Sequence, residues 1–388
     1  MIEFRQKLKK PNFVYFWGFL AVVFLVLGSI LFFASRLIIR RNGPLPVSTA
    51  DEIIQIKDTT ILTEQVAWYK KLIERVGPSE AQDDLVNSGL PFTGQTHLLN
   101  HTVGDYLYEK FGVTGLSQCK EYFLASCYHG FILDAIATGG IPEVAKVMNA
   151  CRTEGVSTVF PQCSHAVGHG FLAFVGYKNL TQSLTMCDDM VKSVPDFPTF
   201  NCQDGVFMEN IWALHDGSVS ADRWVKPSDP VYPCDDSRIG QKYLLACWSN
   251  QPSLMYQQFS GDLKKVAGQC GILQQTDLRQ MCYNGLARQI HPIAAGNLDQ
   301  TFDLCGLLGR TWTDYCILVN DTASFSVGDR SLPFAICARI DAASKDSCYQ
   351  QLLGMINAYA KSSSEQTDWC NKIDSPTWKD QCQAQQRQ

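Results

Sequence analysis

The amino-acid sequence predicts an all-α chain: a right-handed-type solenoid of two-helix repeats with a period near 34 residues, stapled by disulfides and preceded by one transmembrane helix. Three observations carry this reading. Sixteen cysteines fall into eight consecutive pairs, the segments between pairs hold helix punctuation, and one uncharged apolar stretch stands near the N-terminus.

The apolar stretch comes first. From Phe13 to Phe33 no residue is charged, and the run is rich in Phe, Leu and Val, with Tyr15 and Trp17 near its start. About 20 such residues span a bilayer as a helix; a cleavable signal has a shorter apolar core and a small-residue cleavage site, which Ala34-Ser35-Arg36 supplies poorly. Residues 1-11 then form a short cytoplasmic tail, 12-35 the anchor and 36-60 a stalk or linker, since the segment opening with Asn42-Gly43-Pro44-Leu45-Pro46 lacks helical periodicity. Basic residues flank both sides of the anchor, so charge alone orients it weakly. The cysteines decide the orientation: all lie beyond the anchor, and disulfides persist in oxidising compartments. The expected topology is a single-pass membrane protein with a cytoplasmic N-terminus and a periplasmic, extracellular or luminal C-terminal domain.

With 46% hydrophobic and 18% charged residues among 388, the chain can bury a sizeable core. The first 41 residues hold seven of the 33 basic side chains and only Glu3 of the 38 acidic ones, so the remainder carries 26 against 37, a formal charge of −11. Such a surface repels phosphate backbones and excludes nucleic acid as a partner.

Residues 61-94 read as N-terminal capping helices. The first runs from Ile61 to Val76, with Val66, Trp68, Leu72 and Ile73 also apolar and Gly77-Pro78 ending it; the second covers Ser79 to Leu90. After Pro91 comes a helix carrying His97 and His101, closed by Gly112. Two sets of repeats complete the chain, histidine-containing ones over 95-233 and C-terminal ones over 234-388.

The cysteine pairs are Cys119 and Cys127, Cys151 and Cys163, Cys187 and Cys202, Cys234 and Cys247, Cys270 and Cys282, Cys305 and Cys316, Cys337 and Cys348, and Cys370 and Cys382. First members recur every 32 to 36 residues except across one step of 47, where Gly217, Ser218, Pro227 and Pro230 mark an inserted loop. Each period contains a helix beginning at the second cysteine and another ending at the next first cysteine. Between them lies punctuation such as Gly139-Gly140-Ile141-Pro142, Gly296-Asn297 and Gly328-Asp329. Asp314, Asp346 and Asp380, two residues before a second cysteine, are expected as N-caps. Sixteen cysteines allow many connectivities. Pairing within each adjacent couple is preferred because it repeats in register.

In its period and cysteine rhythm the segment from about Gln95 to Cys382 resembles disulfide-stapled Sel1-like and tetratricopeptide-type α-solenoids, without their Gly/Ala and Trp/Tyr spacings. The resemblance implies a curved helical scaffold with a groove for a protein or peptide partner. It implies no catalytic residues.

The chemical signal is histidine. Two residues after a cysteine stand His129, His165 and Asp204; one repeat upstream, with Gln95 in the cysteine's place, His97 and His101 match His165 and His169. Five of the seven histidines therefore fall on two repeat-equivalent positions. Residues four apart share a helix face, and neighbouring helices stand about 10 Å apart, so imidazoles from three helices can converge. Neutral imidazole suits a divalent ion such as Zn, Fe, Cu or Ni, and carboxylates from Asp134, Asp204 or Glu209 could complete the shell. Glu209, acidic in an apolar segment, is also a candidate general base. Against the metal reading stands a simpler one, in which these histidines donate to carbonyls inside a scaffold. His215 and His291 lie off the pattern and take the simpler reading. Gly130, Gly205 and Gly285, each three residues after a cysteine, are expected to let helices approach closely. Two functions of different class remain open: a metal-dependent hydrolase or oxidoreductase, or a non-enzymatic interaction scaffold with structural histidines.

Overall fold

The computed structural model describes residues 49–90, 93–153, 159–212, 221–327, 330–360 and 362–385. The anchor expected over 12-35 lies outside them, as do His215 and the Gly328-Asp329 turn. Among the described residues no helix is long and apolar enough to cross a membrane. The chain divides into two compact units, Met1–Asp51 and Glu52–Gln388, and the site lies wholly in the second.

The described chain is all-helical, with eighteen α-helices and, in place of strands, one isolated bridge between Lys226 and Asp229. Helix α1 (Thr49–Asp58) occupies ground expected to be stalk. Its inward residue is the fully buried Ile56, and Gln65 donates to the carbonyls of Ile56 (3.0 Å) and Thr59 (2.7 Å), anchoring its end. Helix α2 (Leu62–Val76) buries Tyr69, Leu72 and Ile73 as one stripe, with Ile61 left exposed before it. Gly77, at φ +94°, breaks the helix in a conformation that side chains resist, and Pro78 opens α3 (Pro78–Asn87). Helix α4 (Gly94–Phe111) starts under the Thr93 side chain, which accepts from the Thr96 amide, and stops at Gly112.

Longer and shorter helices then alternate: α5 (Ser126–Gly139), α6 (Ile141–Thr153), α7 (Val159–Val175), α8 (Leu180–Asp189), α9 (Thr199–Trp212) and, after the inserted loop, α10 (Leu244–Gln258) and α11 (Leu263–Gly271). The series continues through α12 (Thr276–Ala294), α13 (Leu298–Gly306), α14 (Arg310–Val327), α15 (Leu332–Arg339), α16 (Ala342–Tyr359), α17 (Ser363–Asn371) and α18 (Pro376–Gln385). Helices α4, α5, α7, α9, α10, α12, α14 and α16 pack each against the next, and the short helices pack on this row.

All eight disulfides join cysteines adjacent in sequence, at separations from 8 to 15 residues. Five of them tie a short helix's end to the next long helix, and the last ties α17 to α18. Tyr128, Trp248, Tyr283 and Tyr349, each next to a second cysteine, are buried beside the bridges.

The helix starts differ from expectation. Asp314, Asp346 and Asp380 are not N-caps, because α14, α16 and α18 begin one turn earlier, at Arg310, Ala342 and Pro376. Asp314 instead accepts from Ser344 Oγ (2.6 Å) and Asp346 from Trp378 Nε1 (3.3 Å), tying α14 to α16 and α16 to α18. Caps form where a polar residue follows a turn: the side chains of Asp262, Asn297 and Ser362 each accept from the amide three residues on.

Residues far apart in sequence line one pocket. Tyr122 and Tyr128 share a pocket of about 220 Å³ with Arg330 and Tyr359. The Arg330 guanidinium lies over the rings of Phe325 (4.5 Å), Tyr359 (5.0 Å) and Trp369 (5.5 Å).

Candidate metal centre

Glycine sets the spacing of the helices that carry the histidines. A Cβ on Gly104 of α4 would stand 2.1 Å from the Cys127 carbonyl oxygen of α5, and one on Gly130 of α5 would stand 2.1 Å from that of His101. The same reciprocal lock joins α7 and α9, through Gly168 against Cys202 (1.9 Å) and Gly205 against His165 (2.0 Å). Gly285 packs likewise on Ser249, at 2.2 Å. Backbones at that distance hold side chains one turn away almost in contact.

The five histidines of the repeat pattern meet in one buried cluster. His97 and His101 come from α4, His129 from α5, and His165 and His169 from α7, and none is more than 8% exposed. His129 is the hub: its ring centre lies 5.1 Å from His97, 5.6 Å from His101, and 5.3 Å from both His165 and His169. Nitrogens of His97, His101 and His129 all lie within 4.8 Å of one another.

Hydrogen bonds fix which nitrogens carry lone pairs. The Phe123 carbonyl can only accept, so the His97 Nδ1 that it meets at 2.7 Å bears the proton and Nε2 is left bare. His165 Nδ1 faces Asp204 Oδ2 at 3.3 Å, and His169 Nδ1 faces Glu209 Oε2 at 2.8 Å. Each ring thus presents Nε2 to the cluster, the arrangement by which proteins orient imidazoles that bind metal. His165 Nε2 and His169 Nε2 stand 3.0 Å apart, and His129 Nδ1 lies 3.2 Å from His97 Nε2. Two nitrogens bound at ~2.05 Å to one ion are ~2.9 Å apart at a right angle and ~3.3 Å apart at the tetrahedral angle, so both spacings fit a shared ion.

Burial favours the neutral form of His97, His129 and His165. It pushes the pKa of His97 down to about 4, opposed in part by the Phe123 carbonyl, and that of His165 down despite Asp204. His129 is lowered further, by burial first and then by the four surrounding imidazoles. Burial raises the Asp204 carboxyl, but Arg288, His165 and Ser249 together outweigh it and hold Asp204 ionised. The consequence is measurable in metal-free protein. An unfolded chain takes up protons near pH 6.5 that the folded His97 refuses until about 4, so stability is complete above 6.5 and falls as pH drops toward 4. The melting midpoint should fall through that window; a flat or rising midpoint would refute a buried neutral cluster.

The carboxylates stand elsewhere than the sequence suggested. Asp204 and Glu209 meet Nδ1 atoms of His165 and His169 rather than the bare Nε2 atoms, so they hold the rings in place. Asp204 also accepts from Asn250 Nδ2 at 2.8 Å and lies 3.9 Å from Arg288. Glu209 is fully buried, with one oxygen on His169 and the other accepting from Tyr177 Oη, which removes it from reach of a substrate as a general base. Sequence reasoning missed Tyr177 and the Phe123 carbonyl. The latter is presented by three successive residues with positive φ, Phe123 (51°), Leu124 (58°) and Ala125 (57°), none a glycine and so none marked in the sequence.

His291 is buried apart from the cluster, its Nδ1 3.3 Å from Ser324 Oγ. Asp321 lies with Cys337 and Cys348, but both sulfurs are bonded to each other and offer no ligand. Burial raises the Asp321 carboxyl well above its usual range, which favours its neutral form.

A pocket of about 640 Å³ reaches the cluster at His101. Its walls carry Lys70, Thr102, Asp105, Glu109 and Asp134. Burial, and then Asp134, push the Asp105 carboxyl up to about 7. Compared with models of protein families, with curated proteins and with solved structures, the chain matches none, so the reading of the site rests on its own residues.

Proposed function

We propose that the chain is a membrane-anchored, extracytoplasmic metalloprotein, a helical solenoid whose histidine cluster binds a divalent transition ion and acts on substrates entering at His101, by hydrolysis or oxidoreduction. The observation that carries this is the set of three bare Nε2 atoms, on His97, His165 and His169, whose other nitrogens face a carbonyl or a carboxylate. Two lone pairs 3.0 Å apart repel unless a proton or a metal ion lies between them. Imidazole-rich sites suit Zn²⁺, Cu²⁺, Fe or Ni²⁺, and such an ion supplies a Lewis acid or an acidified bound water. Asp105, poised near neutrality in the pocket, suits proton transfer there. Eight bridges with no free cysteine support an oxidising location.

Elemental analysis of the full chain, purified oxidised and without added chelator, should find at least one transition ion per chain. Acidification below about pH 4, where the buried His97 takes up its proton, should release it, since protonated imidazole cannot ligate. Intact protein that neither carries nor takes up metal would return the fold to the scaffold reading.

A further inference from the structure

The geometry points to two ions rather than one, joined by the His129 ring: Nδ1 serves an ion shared with His97 and His101, and Nε2 serves an ion shared with His165 and His169. This rests on the metal-centre reading above and assigns its stoichiometry.

Repetition is the first argument. Helices α4 and α7 each present histidines four residues apart, and each is locked to a neighbouring long helix by a reciprocal pair of glycine contacts. Each half of the site is built alike, and each brings its own pair of imidazoles. Only His129 has no counterpart, because Asp204 stands at the equivalent position of α9 and holds His165.

The second argument is the hub itself. His129 Nδ1 is committed to the first pair, 3.2 Å from His97 Nε2. Its Nε2 is buried and has no hydrogen-bond partner, in a residue 3% exposed whose ring is equidistant from His165 and His169. A buried ring nitrogen left unsatisfied is costly. One ion cannot take both nitrogens of a single imidazole, so a ring with both nitrogens inside the cluster serves two ions or leaves one nitrogen idle.

The carboxyl groups agree. Asp204 and Glu209 stand buried on the second pair's side of the cluster, each against the Nδ1 of one of its rings, which leaves both Nε2 atoms to an ion. Binding of the second ion displaces the last ring proton of His129 to solvent, leaving a bridging imidazolate; no atom changes oxidation state.

The test uses the full chain, stripped of metal and titrated with Zn²⁺ and, separately, Cu²⁺. Two ions per chain are expected. With two Cu²⁺ bound, the integrated paramagnetic resonance signal should fall far below the copper content, because spins joined by an imidazolate couple. The double variants His97→Ala/His101→Ala and His165→Ala/His169→Ala should each retain one ion, and His129→Ala should restore full signal per copper. One Zn²⁺ per chain would overturn the two-ion centre while leaving a single-ion site standing. Two Cu²⁺ with undiminished signal would overturn the bridge. No uptake at all would overturn the metal reading itself. The measurements on the unaltered chain decide the matter even where a variant fails to fold.

Discussion

Dithiothreitol is expected to unfold the helical domain outright at neutral pH and room temperature. Each bridge closes a loop of 8 to 15 residues. In the chain-entropy picture such a loop contributes about 2.5 to 3 kcal/mol, and eight independent loops together reach about 20 kcal/mol. A folded domain has a net stability of only about 5 to 15 kcal/mol, so the reduced chain falls below zero even if the bridges deliver somewhat less than that ideal. Placement strengthens the case. Most bridges join the end of a short helix to the start of the next long one, and several of these short helices run only eight to ten residues, too few to persist alone. Circular dichroism before and after reduction gives the answer. Retention of the full helical signal with eight free thiol pairs would show that packing alone holds the fold.

Gly130→Ala and Gly205→Ala should each destabilise the protein by about 3 kcal/mol, the upper end of what overpacking costs. The added methyl would stand 2.1 Å from the His101 carbonyl oxygen in the first case and 2.0 Å from that of His165 in the second. Neither carbonyl can rotate away, because each belongs to a helix backbone, so the helices themselves must part. Parting α4 from α5 draws His101 away from His129, and parting α7 from α9 draws His165 from Asp204; metal content should fall together with the melting midpoint. Gly354→Ala is the contrast. Nothing lies within 4 Å of its added methyl, and it sits inside α16, so the same chemical change should stabilise by about 0.5 to 1 kcal/mol through the unfolded chain. Equal midpoints for the three variants would show that the close approach carries no energetic weight.

Local rhythm makes the eight bridges legible. A cysteine pair separated by a short loop states its own partner, and the repeat of that pair supplies an origin from which histidine positions can be compared across helices. Registry places the five imidazoles on facing positions without any contact being visible. What registry does not supply is direction. Whether Asp204 and Glu209 meet a metal or a ring nitrogen depends on about one side-chain length, and repeat position carries no such resolution. Nor does spacing reveal that Phe123, Leu124 and Ala125, inside the Cys119–Cys127 loop, turn left-handed, since none is a glycine or asparagine that would mark such a turn. Helix starts differ for a related reason: spacing puts the boundary at the cysteine, but the boundary follows the turn residue one to two helical turns before it.

The pocket between Tyr122 and Arg330 sets a rule for how this chain can change length. In an open-ended array stability is a sum of neighbour terms, and a unit can be lost or duplicated at the cost of one interface. Here Tyr122 and Tyr128 line one pocket with Arg330 and Tyr359, so deleting a helix pair between them would carry Arg330 and Tyr359 away from Tyr122 and leave both walls bare. Duplication of a helix pair would separate the same walls, whereas the long loop before Leu244 adds residues between α9 and α10 while those walls still meet.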